Sequence, residues 1–366
     1  MTIFNQAETC NRFARSFFVL LVFITALGIT TTGHAQETFQ TRIQSVSQKS
    51  KNASTATQYS ELITECDNLL KEKSASPSHR NYLNKLNAWA LDKRGVTRTE
   101  LAEQFLKANS SQQAEVISGQ AMDDFNRSIS QDPKRWQTHM HRGTLLAEKE
   151  KFQAAAKDFT AVIELNPESA AASFNRAEMR YQESQFALAE EDYSRAIQLD
   201  DEDLQALSGR GHCRLAQNQL DAALQDYDHV VKKLPNDAWA LANRADVYLA
   251  MHDWQAARDD LRNAIDKQTN GEFCRRLGWL LATCSEESIC DGQQALTLAK
   301  KAIAIGGESQ ANLDTLAAAY AAAGDFNRAR DVHSRVIAMN HLQDPQTSVK
   351  QTAYENNERY QEAFDR

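Results

Sequence analysis

The sequence predicts an all-α fold, a solenoid of stacked antiparallel helix pairs, on three observations. Stretches starting at Trp136, Ala170, Leu204 and Ala238 repeat one pattern at a spacing of 34 residues. Each stretch holds two runs whose apolar residues recur at helical spacing. Only 5 prolines and 13 glycines occur in 366 residues, few enough for many helices joined by short turns.

The repeat has a packing logic. The eighth residue is Gly143, Ala177, Gly211 or Ala245, and the twentieth is Ala155, Ala189, Ala223 or Ala257. Helices approach closely only where both present a small side chain. The large residue at the twenty-fourth place (Phe159, Tyr193, Tyr227, Leu261) fills the space beside that approach. A 34-residue period with these occupants resembles the tetratricopeptide repeat family. The resemblance implies a right-handed array with a concave face lined by the first helices, where a protein or peptide lies. The same repeat serves unrelated processes, so it names no partner.

In residues 1–35, Arg12 and Arg15 precede an apolar run from Phe17 to Ile29. Gly33 and Ala35 are then the small residues at −3 and −1 of a cut before Gln36. This is the layout of a secretory signal, with an apolar run too short to span ~30 Å of hydrocarbon. The expectation is an exported chain, periplasmic or secreted, with no membrane anchor after cleavage. Residues 36–57 are polar and read as a flexible leader.

Residues 58–135 read as degenerate units. His79 to Arg94 is a first helix ended by Gly95, framed from Asn81, and an insert spans 96–116. Four regular units fill 136–269. Two more occupy 270–340, the first with a stretched turn over Ser285–Gly292. The stretches LGWLLATC and LDTLAAAYAAAGDF resemble closing units of exported repeat proteins from planctomycete bacteria. Residues 341–366 read as a capping segment, with a polar helix from Thr347 to Phe364.

The formal net charge is −8, spread over the repeats, and no clustered Lys and Arg suggest a nucleic-acid footprint. Two charged registers stand out. The seventh place is Arg142, Arg176, Arg210 and Arg244; the twenty-third is Asp124, Asp158, Asp192, Asp226 and Asp260. They read as a structural ladder of Arg–Asp pairs, since the guanidinium fork bonds a carboxylate twice. Asn87 at the seventh place of the opening frame, and Arg275 and Arg276 beyond Asp260, favour pairing across units: Asp124–Arg142, Asp158–Arg176, Asp192–Arg210 and Asp226–Arg244.

The resemblance places His141, Phe174, Asn175, Glu178, Tyr181, His212, Trp239, Asn243 and Asp246 on the concave face, beside Gln137, Met140, Thr144 and Glu148. Asn175 and Asn243 are the sharpest candidates there, since a side-chain amide both donates to and accepts from a peptide backbone. The paired cations with which cytosolic chaperone cofactors of the family clamp a carboxylate are missing. Cys284 and Cys290 flank a short loop and allow either a local disulfide or two separate thiols. No catalytic motif, metal set or cofactor site is legible. The reading is a non-catalytic scaffold binding a protein or peptide. The alternatives are an accessory subunit of an exported enzyme complex and a self-assembling architectural solenoid.

Overall fold

The computed structural model describes residues 32–339 and 345–361. The described residues form seventeen α-helices and no strand. The Phe17 to Ile29 run lies outside the described residues, and no described helix is long and apolar enough to cross a membrane. Two compact units divide the chain after Asp203.

The first unit holds α1 (Thr32–Asn52), α2 (Ala56–Lys71), α3 (Pro77–Lys107), α4 (Ser111–Gln131), α5 (Trp136–Glu148), α6 (Phe152–Leu165), α7 (Ala170–Gln182) and α8 (Phe186–Leu199). Successive helices pair as hairpins, α3 with α4, α5 with α6 and α7 with α8, and each hairpin packs on the next. The second unit holds α9 (Leu204–Ala216), α10 (Leu220–Lys233), α11 (Ala238–Ala250), α12 (Trp254–Lys267), α13 (Gly271–Thr283), α14 (Gly292–Gly306), α15 (Gln310–Ala322), α16 (Phe326–Met339) and α17 (Pro345–Glu355). It pairs its helices in the same way, and α17 packs on α16.

Glycines at the eighth place are there for packing. A Cβ on Gly143 would sit 2.8 Å from the Phe159 ring, and one on Gly211 would sit 2.9 Å from the Tyr227 ring. The large twenty-fourth side chain therefore rests directly on the eighth backbone, a closer relation than filling space beside it. Three-residue turns join the regular pairs, each with its middle residue in the left-handed region: Glu150, Ser184, Asn218 and His252.

Three sequence expectations are corrected. Residues 36–57 are not an unstructured leader, because α1 covers most of them. Phe39, Ile43 and Val46 recur on one face of α1 and bury themselves against Leu62, Cys66, Leu69 and Leu83. The overall polarity of the segment hid a stripe of three apolar residues. At its end, Thr55 and Gln58 form a reciprocal capping box that starts α2.

The first half of the 96–116 insert extends α3 as helix, but its second half, expected to be loop-like, is helix beyond the turn 108–110, and Gly95 does not end α3. A Cβ on Gly95 would meet the Phe125 ring at 2.5 Å, so Gly95 is an eighth-place glycine and the frame of this unit starts at Ala88. The Gly95–Phe125 separation is 30 residues, whereas Gly143 and Phe159 are 16 apart. Fourteen residues have thus been added, seven in each helix. Seven residues make close to two turns, so both extensions keep the same face inward. The turn stays three residues long and keeps a left-handed residue, Asn109.

The capping helix is also shorter than expected. Pro345 opens α17 rather than breaking the chain, and the helix ends at Glu355. Asn357 then turns with φ of 60°, and Tyr360 is buried again beyond it.

Candidate functional site

The charged registers close within hairpins. Arg142 donates from Nε to Asp158 Oδ2 at 2.8 Å and from Nη2 to Oδ1 at 2.7 Å. Arg176 does the same to Asp192 at 2.8 and 2.6 Å, Arg210 to Asp226 at 3.0 and 2.7 Å, and Arg244 to Asp260 at 2.8 and 2.9 Å. The expected pairing across units is therefore wrong. Residues seven and twenty-three flank the contact of residues eight and twenty-four, so the charges of one hairpin face each other directly.

Arg94, not Asn87, holds the seventh place of the opening frame, and it forks onto Asp124 at 2.9 and 2.6 Å. Arg275 and Arg276 bond Glu272, and Arg276 also bonds Asp246, instead of Asp260. The link between hairpins runs through the third arginine nitrogen. Nη1 of Arg142 reaches Asn126 at 2.8 Å, that of Arg176 reaches Thr160 at 3.1 Å, and that of Arg244 reaches Asp228 at 2.8 Å.

Three hairpins carry a second arginine, on their first helix, that sequence reading missed. Arg98, Arg180 and Arg214 donate to Asp124, Asp192 and Asp226 at 2.5, 2.7 and 2.9 Å. In the hairpin of Asp158, His139 takes that role at 2.9 Å. Burial works against the charge of Asp158, but Arg142 and His139 outweigh it and hold the carboxyl below its ordinary range.

Residues 141–203 and 180–238 match the family model for the tetratricopeptide repeat. Over these residues the chain is similar to tetratricopeptide repeats. Around them the helix pairs continue through both units as an all-α repeat array. Similar solved structures include YrrB, described as a tetratricopeptide protein with an unusual peptide-binding site, at 21% identity. That similarity covers 49% of this chain and 89% of YrrB, with a TM-score of 0.42. A tetratricopeptide protein from Parabacteroides merdae is similar at 15% identity, over 77% of this chain and 99% of its own, with a TM-score of 0.46. Yeast Tom70 is similar at 13% identity, over 92% of this chain and 66% of its own, with a TM-score of 0.45. No curated protein matches in sequence.

The candidate ligand-facing residues do not all face outward. In the first unit, His141 Nδ1 lies 2.8 Å from Asp92 Oδ1, and Arg135 reaches Asp92 Oδ2 at 3.1 Å. Asp92 is fully buried. Burial opposes its charge, yet His141 and Arg135 prevail and hold the carboxyl at about 2. Phe174 and Asn175 are only 4% and 2% exposed. The Phe174 ring meets Tyr193 edge-on, and Asn175 Nδ2 approaches Met140 Sδ at 3.7 Å. Both are therefore packing residues on this surface. Glu178 stays half-buried; burial pushes its pKa up, and the Tyr193 hydroxyl donating to Oε1 offsets part of that rise. Tyr181 is half-buried, edge-on to Phe186.

In the second unit, Trp239, Asn243 and Asp246 lie four and then three residues apart on one face of α11. Trp239 is 46% exposed even though its ring meets Phe273 at 4.8 Å. Burial pushes the Asp246 carboxyl up, and Arg276, bonded to it at 2.9 Å, pulls it back. Burial and the same arginine push the His212 imidazole down.

Cys284 and Cys290 are both free, which corrects the disulfide alternative. Cys290 Sγ donates to the Cys284 carbonyl at 2.9 Å, and Cys284 Sγ accepts from the Glu286 N–H at 3.4 Å. Each sulfur thus serves the turn by a hydrogen bond.

Proposed function

We propose that this protein is a non-catalytic scaffold of an exported bacterial compartment that holds a protein or peptide segment along its first helices. The observation that carries the reading is the face of α11. There an exposed indole, an amide and a partly desolvated carboxyl stand in line at Trp239, Asn243 and Asp246. An aromatic side chain supplies contact area at little entropic cost. The amide pairs with a peptide bond, and the carboxyl accepts from an N–H or a cationic side chain. The signal-like run before Gln36 supports export.

The test is to pan the full chain against a displayed library of twelve-residue peptides. Selected peptides should lose at least tenfold in affinity on Trp239→Ala with Asn243→Ala, with far-UV helicity unchanged. If nothing is selected, or the double variant binds as well, the reading fails. Export is checked separately, by finding Gln36 as the first residue of the protein recovered outside the cytoplasm.

A further inference from the structure

The C-terminal segment lies on the first-helix face of the last two hairpins. Counted from their own helix starts, Trp279 holds the ninth place of α13 and Asp314 the fifth place of α15. These are the same places as Asp246 on α11 and Met140 on α5. Lys350 of α17 is only 7% exposed. Its ammonium pairs with Asp314, stands 4.8 Å from the Trp279 ring centre and 5.4 Å from that of Tyr360. Tyr360, beyond the helix end, packs its ring 6.1 Å from Trp279. A lysine thus sits in a cage of two aromatic rings and one carboxylate, the arrangement that cation–π attraction and an ion pair jointly favour.

The closed arrangement is imperfectly matched. Asp314 Oδ1, His333 Nδ1 and the Tyr354 hydroxyl are buried without a hydrogen-bond partner. His333 Nδ1 stops 3.8 Å from Asp314 Oδ1, too far for a hydrogen bond. Each unmade bond opposes closure, as does the water that Lys350 gives up. The segment is held by the cage, by the fully buried Tyr354 ring edge-on to His333, by Arg330 donating to the Tyr354 carbonyl at 2.7 Å, and by His333 Nε2 at 3.1 Å from the Thr347 carbonyl.

We propose that residues 345–361 are a displaceable internal occupant of the face formed by α13 and α15. A protein segment bearing a lysine beside an aromatic residue takes their place. The inference deepens the peptide-binding reading and rests on it, but concerns helices other than α11. Trp279 and Asp314 supply the recognition, and Lys350 with Tyr360 act as the built-in competitor.

The probe is a synthetic peptide of residues 345–361, added to the full chain and to its Lys350→Ala, Tyr360→Ala form. The double variant should bind the peptide at least tenfold more tightly than the parent, and adding Asp314→Asn should abolish that gain. Equal binding by parent and variant, or none by the variant, overturns the proposal. In the unaltered chain, amide hydrogens of α17 should exchange at least tenfold faster than those of α15; equal protection also overturns it. A chain that selects library peptides through Trp239 but fails these tests loses this inference alone.

Discussion

Arg94 grips Asp124 with the same two-pronged geometry that joins Arg142 to Asp158, across thirty residues instead of sixteen. The pair survives because the added residues fall seven to a helix, beyond the contact and before the turn. The extension is therefore separable from the hairpin. Deleting 101–107 together with 111–117 should restore a regular unit, with Glu100 leading into the unchanged turn 108–110. The melting temperature should stay within about 4 °C of the parent, which corresponds to roughly 1 kcal/mol. Deleting 101–107 alone leaves α4 without a facing helix over two turns, and should melt lower than the double deletion.

Asp192 accepts from both Arg176 and Arg180 with its side chain 5% exposed. Asp192→Ala leaves two guanidinium groups without their carboxylate in a largely dry setting, at a cost of ~3–5 kcal/mol. Asp192→Asn keeps an acceptor and should cost less. Asp259, beside it in type but exposed, should change stability by no more than about 0.5 kcal/mol on conversion to Ala. Urea midpoints rank the three. If Asp192→Ala unfolds with Asp259→Ala, the ladder is not structural.

The regular hairpins were legible because each place constrains a physical property: a small residue where backbones meet, a large one opposite, a charge at the rim. Period alone could not decide which Arg meets which Asp. Separations of 16 and 18 residues both satisfied the pattern, and the wrong choice followed from placing Asn87 rather than Arg94 at the seventh place. Two small residues seven apart, Ala88 and Gly95, gave two self-consistent frames, and only the Phe125 ring on Gly95 separates them. Phe174 and Asn175 show a different limit. The family resemblance put them on the concave face, but whether a neighbouring side chain covers a given place is a tertiary fact that the place number does not carry.

Glu150 occupies the left-handed region at φ of 55° with an exposed side chain. A non-glycine residue there bears a steric cost that glycine avoids. Glu150→Gly should therefore stabilise the chain by about 0.5–1 kcal/mol, despite the greater freedom glycine gives the unfolded state. The same change at Lys149, which ends α5 outside that region, should destabilise it. Thermal melts of both variants against the parent decide the matter.

Among the described cysteines, Cys66, Cys213, Cys274 and Cys284 are buried, and only Cys290 reaches solvent. Burial, with Asp67 and Glu65 nearby, pushes the Cys66 thiol up to about 12, which suppresses its reactive thiolate. In a Cys10→Ser background, one thiol should react promptly with an aromatic disulfide reagent at pH 8, and Cys290→Ser should remove that phase. The other four should react only as denaturant unfolds the chain. Two prompt equivalents would place a second thiol at the surface.

Asp92 joins α3 to α5 through His141 and Arg135, and its effect on stability has a definite sign with pH. Its carboxyl is held at about 2 in the folded chain, below the ordinary 3.8 it regains on unfolding. Between those values the unfolded chain binds the extra proton, so acid favours unfolding. The contribution, on the order of 2 kcal/mol, is complete above pH ~4. It is lost as pH falls toward about 2. Asp92→Asn removes the titrating group. The parent should therefore exceed the variant in unfolding free energy at pH 6, and the gap should narrow steadily between pH 4 and pH 2.5. Denaturant titrations of both proteins across that range measure the gap directly, and a constant difference would mean that Asp92 contributes through shape rather than charge.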